Sequence, residues 1–201
     1  MSFHPLMMYD QRFQKSERKL TDEGEPFTFT PERRAQLDRT LTMYPPEQKR
    51  SAILAALYLV QEQQGYLTAN GMRHVAGILN LTPAEVEDVA TYYVMFYKAP
   101  VGKYVLQVCR TLSCALMGAE RVTEALSEKL GIGVGETDAS GVFTLGEFEC
   151  LGACDRAPVV MINNEHWHEK MKPEDAGKLV DDIRAKGDAA LTGCHLHVER
   201  K

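Results

Sequence analysis

Five cysteines are the residues of this 201-residue chain whose spacing could do chemistry. Four form two close pairs, Cys109-x4-Cys114 and Cys150-x3-Cys154, and Cys194 stands far from both. Five are too few for a disulfide-dense secreted scaffold, and clustered thiols in a reducing compartment suggest metal before disulfide. Structural zinc knuckles most often separate their two cysteines by two residues, which neither pair does. A thioredoxin dithiol needs C-x-x-C, and the plant-type ferredoxin run needs a cysteine three positions after Cys114; both are absent. No histidine lies in either loop to make a Rieske centre. Two pairs in two loops suit a [2Fe–2S] cluster, two thiolates to each iron. Zinc, and unligated or redox-active thiols, remain open on spacing alone. Gly152, beside the second pair, lets backbone come close and aim N–H groups at sulfur.

The elements that must position these thiols are legible around them. Tyr104–Val108 reads as a strand ending just before Cys109. A short polar loop leads to Cys114, then a helix with Leu116, Ala119, Val122, Ala125, Leu126 and Leu130 in period, closed by Gly131. Val142–Glu149 reads as a second strand running into Cys150, and Val159–Ile162 as a third. Asn163-Asn164 is a turn signal. Pro173 opens a last helix, Glu174–Lys186, stopped by Gly187. Strand, crossover helix and strand predict two parallel strands. Parallel strands end at one edge of the sheet, so all four cysteines are expected to meet at the carboxyl edge where open α/β sheets bind ligands.

The first half has the other period. Thr30-Pro31-Glu32 is a cap, a first-turn proline and an acid. Leu37, Leu41 and Tyr44 continue that helix to Pro45-Pro46. Glu47–Gln64 is expected as a second helix, Thr68–Leu79 as a third, and a fourth starts at the capping box of Thr82 and Glu85, its stripe running from Val86 through Tyr97. The organisation read from the sequence is a flexible arm over 1–30, a helical bundle over 31–98 and an α/β domain over 103–187. A C-terminal tail over 188–201 completes it.

Net charge is −5, from 23 basic and 28 acidic side chains, with no basic surplus in either half, so general nucleic-acid binding is not expected. No apolar run nears the ~20 residues of a membrane span, and the charged start does not read as a signal peptide. A soluble cytoplasmic protein is the expectation.

The residues also carry a family resemblance. Cys109-x4-Cys114 followed by Cys150-Leu-Gly-Ala-Cys154-Asp-Arg-Ala-Pro158 resembles the 24 kDa subunit of respiratory complex I, the NADH:quinone oxidoreductase, a thioredoxin-like [2Fe–2S] ferredoxin with a preceding helical bundle. Gln64-Gly65-Tyr66-Leu67 and the stretch from Val89 to Tyr97 look like that family's helical region. The resemblance implies that Cys109, Cys114, Cys150 and Cys154 hold one [2Fe–2S] cluster. It implies an electron-transfer role, docked on a flavoprotein that carries FMN and NADH, peripheral on the inner face of the membrane through the assembled complex. No catalytic residue is expected on this chain, which lacks a dinucleotide fingerprint and a phosphate loop. Gly131-Ile-Gly133-Val-Gly135 follows a helix and reads as a C-cap. Related diaphorase modules of NAD-linked hydrogenases and formate dehydrogenases are the alternative. A zinc-stabilised interaction module is the alternative of another class.

Other residues attract weaker readings. Arg110 and Arg156 lie beside ligand positions, where a cation raises a cluster's potential; facing solvent, or pairing with Glu149 and Asp155, is at least as reasonable. Cys194-His195-Leu196-His197 is expected in an exposed tail outside the fold. Trp167, between His166 and His168, reads as a packing or interface residue, and His74 as a surface one. Tyr92, Tyr93 and Tyr97 are expected to share a helix, and Glu147 and Glu149 to line the solvent face of a strand.

Overall fold

A computed structural model describes residues 26–191 and the backbone of 194–195. The chain divides into two compact units, Met1–Pro100 and Val101–Lys201.

The first unit is helical. α1 (Pro31–Leu41) starts at Thr30, whose hydroxyl accepts from the Arg33 N–H, and has Pro31 in its first turn. A 3-10 helix over Pro46–Ala52 leads into α2 (Ile53–Gln64), where a single helix from Glu47 was expected. Residues 47–50 are exposed and polar, with no apolar face to hold α-helical geometry, and Gln48 leaves it at φ −114°. α3 (Ala69–Leu79) is capped by Thr68, and α4 (Pro83–Tyr92) carries the expected Thr82–Glu85 box in full. Ala56, Leu57, Val60, Leu67, Val75 and Val86 form the fully buried centre.

Two expectations fail here. α4 stops at Tyr92, so Tyr97 does not share its helix and Val94 is exposed. The cause is Gln61, whose buried amide donates to the Met95 carbonyl at 3.0 Å and accepts from the Tyr97 N–H at 2.7 Å, while the Leu67 N–H donates to the Tyr97 carbonyl. Those groups are satisfied without a helix. Nor is 26–30 a free arm: Phe27 is buried, its ring and that of Phe29 meet His74 edge-on, and Gln63 bonds Thr28 and Thr30. His74 is therefore half-buried, and burial, then the Arg34 charge, hold its pKa below the ordinary imidazole value. The rest of the expected arm, 1–25, lies outside the described residues.

The second unit is a five-stranded sheet in the order β2-β1-β3-β4-β5. β1 (Tyr104–Cys109) pairs parallel with β2 (Phe143–Phe148), as the crossover required. β3 (Val160–Ile162), β4 (His166–His168) and β5 (Cys194–His195) add antiparallel neighbours beyond β1. All six residues of β1 are buried, Gln107 among them, as in a strand covered on both faces. The expected helix after Cys114 is two helices, α5 (Leu112–Leu116) and α6 (Ala119–Leu130), broken at Gly118 where φ is +93°. Cys114 thus sits in a helix and not a loop, and Leu116 is exposed, off the core stripe. α6 packs on β1, β2 and α7 (Pro173–Lys186), with Val122, Leu126, Val180 and Ile183 buried between them.

β4 and β5 escaped the sequence reading because each is too short to show a period. The fold also runs past 187: Gly187–Ala190 forms a 3-10 turn, Ala190 and Leu191 are buried, and Cys194–His195 extends the sheet. The expectation of a tail from 188 is corrected to that extent. Among the described residues no helix is long and apolar enough to cross a membrane.

Candidate metal centre

The first cysteine pair is built into regular structure. Cys109 is the last residue of β1, its N–H bonded to the Val159 carbonyl at 3.0 Å, and the Arg110 N–H donates to the Phe148 carbonyl. Cys114 is carried in by α5, and both side chains are buried. The second pair is exposed. Cys150 follows β2 in a loop, and Cys154 opens a 3-10 turn to Arg156. That loop is tied down by its backbone: the Trp167 indole N–H donates to the Leu151 carbonyl at 3.0 Å, the Lys170 N–H to the Arg156 carbonyl, and the Met171 N–H to the Pro158 carbonyl. Leu151 and Ala157 are buried within it, and Gly152 takes φ +75°.

The thiols act on one another in two pairs. Burial alone would raise Cys109; hydrogen bonds from the Thr111 hydroxyl and N–H, from Cys114 and from the Leu151 N–H outweigh it, and the Cys109 pKa falls below the ordinary thiol value. Burial, then the bond to Cys109, pushes Cys114 up to about 11, against a hydrogen bond from the Val159 N–H. Cys154 is raised by its hydrogen bond to Cys150, then by the charge of Cys150. Cys154 also interacts electrostatically with Cys109 and Cys114, so the pairs are neighbours. Ser113 and Thr111 add hydroxyls to the surround. As a thiol, Cys109 donates to the Glu149 carbonyl at 3.4 Å, a proton that metal binding would expel.

The grouping bears on which metal fits. Among the described residues no three Cys, His, Asp or Glu side chains gather around one ion. A tetrahedral zinc needs four ligands around a point, whereas a binuclear cluster needs two pairs side by side. Two neighbouring thiol pairs, with the Thr111, Leu151 and Val159 N–H groups directed at Cys109 and Cys114, fit the second requirement.

The comparison with protein families then decides the kinship. The thioredoxin-like [2Fe–2S] ferredoxin model matches residues 37–184. The chain belongs to the thioredoxin-like [2Fe–2S] ferredoxin family. Its relatives include an NADH-quinone oxidoreductase subunit of Mycobacterium bovis, 42% identical over 85% of this chain and 68% of that one. An NADH-quinone oxidoreductase subunit of Thermus thermophilus is 39% identical over 80% and 92%. Among solved structures, an NAD+-reducing [NiFe]-hydrogenase superposes with a TM-score of 0.60 at 22% identity. It covers 69% of this chain, which spans only 24% of the hydrogenase chain, and the likeness is one of fold.

Within this ferredoxin the arginines take the alternative role. Arg110 pairs with Glu149 at 2.6 Å and Glu147 at 3.7 Å, and Arg156 with Glu169 at 3.1 Å and Asp155 at 3.6 Å. Glu147 is accordingly half-buried, while Glu149 is exposed as expected. Sequence reasoning missed the clamp that Trp167 places on the cysteine loop. The expectation for Trp167 was packing or an interface, and its bond to Leu151, sixteen residues away, leaves no local signal.

Proposed function

We propose that Cys109, Cys114, Cys150 and Cys154 hold one [2Fe–2S] cluster, and that the chain carries electrons in the NADH-oxidising module of an NADH–quinone oxidoreductase. What supports the reading is the coincidence of two adjacent thiol pairs with membership of this ferredoxin family and kinship to oxidoreductase subunits along most of the chain. Held by these four thiolates, such a group would supply a one-electron acceptor for a partner flavoprotein that carries FMN.

The chain's own residues prepare that step. Thr111, Leu151 and Val159 offer donors to the sulfurs, lowering the cost of the added negative charge. Burial of Cys109 and Cys114 keeps water from one side, while the exposed pair faces outward, where a partner can approach. This reading places hydride removal from NADH on the partner flavoprotein, and the oxidoreductase activity with the assembly. The N-terminal helices act as a small docking bundle for the other subunits, and the assembled complex places the chain at the cytoplasmic face of the membrane.

The hydrogenase likeness keeps a diaphorase module of an NAD-linked hydrogenase as a second reading. Anaerobic purification with associated proteins separates these. Iron and sulfide at two each per chain, and a rhombic paramagnetic signal developing with NADH only when a flavoprotein co-purifies, are the expected results. Quinone-reductase subunits in that preparation favour the first reading and nickel-iron subunits the second. Colourless protein with one zinc per chain overturns both.

A further inference from the structure

The middle of β1 holds a buried side chain that packing does not explain. Gln107 is 5% exposed, and its Oε1 finds no hydrogen-bond partner among the described residues. An unpartnered acceptor in the interior costs stability, and an unbranched apolar side chain of the same length would pack there without that cost. The position therefore keeps a polar group that the fold by itself does not satisfy.

Its place on the sheet shows what it serves. Residues two apart on a strand share a face, so Gln107 stands on the face of Cys109, roughly 6.6 Å before it along the backbone. Directly opposite residues of paired strands share a face too. Gln107 pairs with Gly146 of β2 and Met161 of β3, and Met161 pairs with Trp167 of β4. From that row the Trp167 indole reaches the Leu151 carbonyl, and the Leu151 N–H donates to Cys109. The amide thus lies on the sheet face over which the cysteine loop is fastened. A glycine inside a strand marks a place where another group approaches closely. A Cβ at Gly146 would stand 4.0 Å from Gln107 Cγ, so the missing side chain leaves room beside the amide.

We propose that Gln107 is a positioning residue for the [2Fe–2S] centre, its carboxamide N–H groups directed at the sulfurs on the Cys109 side. The proposal rests on the four-cysteine reading above. A carboxamide presents one acceptor oxygen and two N–H donors. Half a turn about its last bond puts the donors where Oε1 now lies, and Oε1 has no bond to lose. Four thiolates make the centre anionic, and donors to its sulfurs favour added negative charge, so this amide raises the midpoint potential. It adds a donor from the strand itself to those of Thr111, Leu151 and Val159.

Gln107→Met in the full chain tests this, because it keeps the length of the side chain and deletes the donors. Purified anaerobically with the cluster loaded, the variant is expected to hold iron and sulfide as the parent does. Redox titration should show electron uptake disfavoured by up to about tenfold, a fall of ~59 mV for a one-electron couple. Urea unfolding of the metal-free chains should give a midpoint equal to or above the parent's, since an orphaned polar group is gone. Gln107→Leu should show the same fall in potential. An unchanged potential in both loaded variants would overturn the role of Gln107. A metal-free Gln107→Met chain less stable than the parent would overturn it too, by showing the amide already paired within the fold. Absence of iron and sulfide from the parent would instead sink the cluster reading itself, and this proposal with it.

Discussion

The two cysteine pairs of this ferredoxin answer the same chemical demand with opposite construction. Cys109 and Cys114 are placed by a strand end and a helix, buried among core side chains. Cys150 and Cys154 sit exposed in a loop that owes its shape to backbone bonds from Trp167, Lys170 and Met171. The first pair belongs to the fold, so it is held whether or not metal is present. The second is held by the backbone bonds of its loop, with both thiols at the surface.

The largest effect that could break this contrast is removal of a thiol. Cys114→Ala and Cys154→Ala are both expected to abolish stoichiometric iron and sulfide. The metal-free proteins should then differ. Cys114→Ala loses buried contacts worth about 1–2 kcal/mol, while Cys154→Ala, at the surface, should stay within about 0.5 kcal/mol of the parent. Urea unfolding of the apoproteins measures this, and equal destabilisation would show that both pairs are part of the fold.

Trp167→Phe is expected to come next. It keeps most of the apolar contact and deletes the 3.0 Å bond to the Leu151 carbonyl. A hydrogen bond of this kind contributes about 1 kcal/mol, near a fivefold change in an equilibrium. Iron release to a chelator should therefore quicken severalfold while the apoprotein's unfolding midpoint moves little. An unchanged release rate would mean the loop does not depend on the indole.

This division also explains what could be read from the sequence. Parallel pairing of β1 and β2 followed from period and connection, and with it the convergence of Cys109 and Cys150 at one edge. The caps at Thr30 and Thr82 were local and legible. What escaped was decided by single side chains acting across long separations. Gln61 ends α4 from more than thirty residues away, Trp167 clamps the cysteine loop, and Phe27 and Phe29 pack on His74. The break at Gly118 was visible as a residue, but nothing local distinguished it from a glycine tolerated inside a helix. β4 and β5 are fixed by their neighbours in the sheet and not by their own pattern.

An effect of similar size is expected at Gly152. Its φ of +75° costs an L-residue about 1–2 kcal/mol, yet an added Cβ would meet nothing within 4 Å. Gly152→Ala should thus strain the loop without a clash. The expected readout is a modest rise in iron release and an unchanged core. Loss of the apoprotein's cooperative unfolding would instead place this loop inside the folding unit.

The smallest expected effect sets the two arginines against each other. Arg110, beside the buried pair, has a third of its side chain exposed, and Arg156, beside the exposed pair, has over half. Each already faces two carboxylates, so removing either leaves an uncompensated negative charge near a cluster that becomes more negative on reduction. Both substitutions should lower the midpoint potential. In water-like surroundings a unit charge at about 10 Å contributes roughly 0.4 kcal/mol, near 20 mV for one electron, and about four times that at an effective dielectric of 20. Arg156→Ala should stay near the lower figure and Arg110→Ala should exceed it. Salt should shrink the Arg156 shift more, because exposed charges are better screened. Redox titration at low and high salt measures both. A larger shift at Arg156 would reverse the contrast, making the exposed loop and not the buried pair the side that sets the potential.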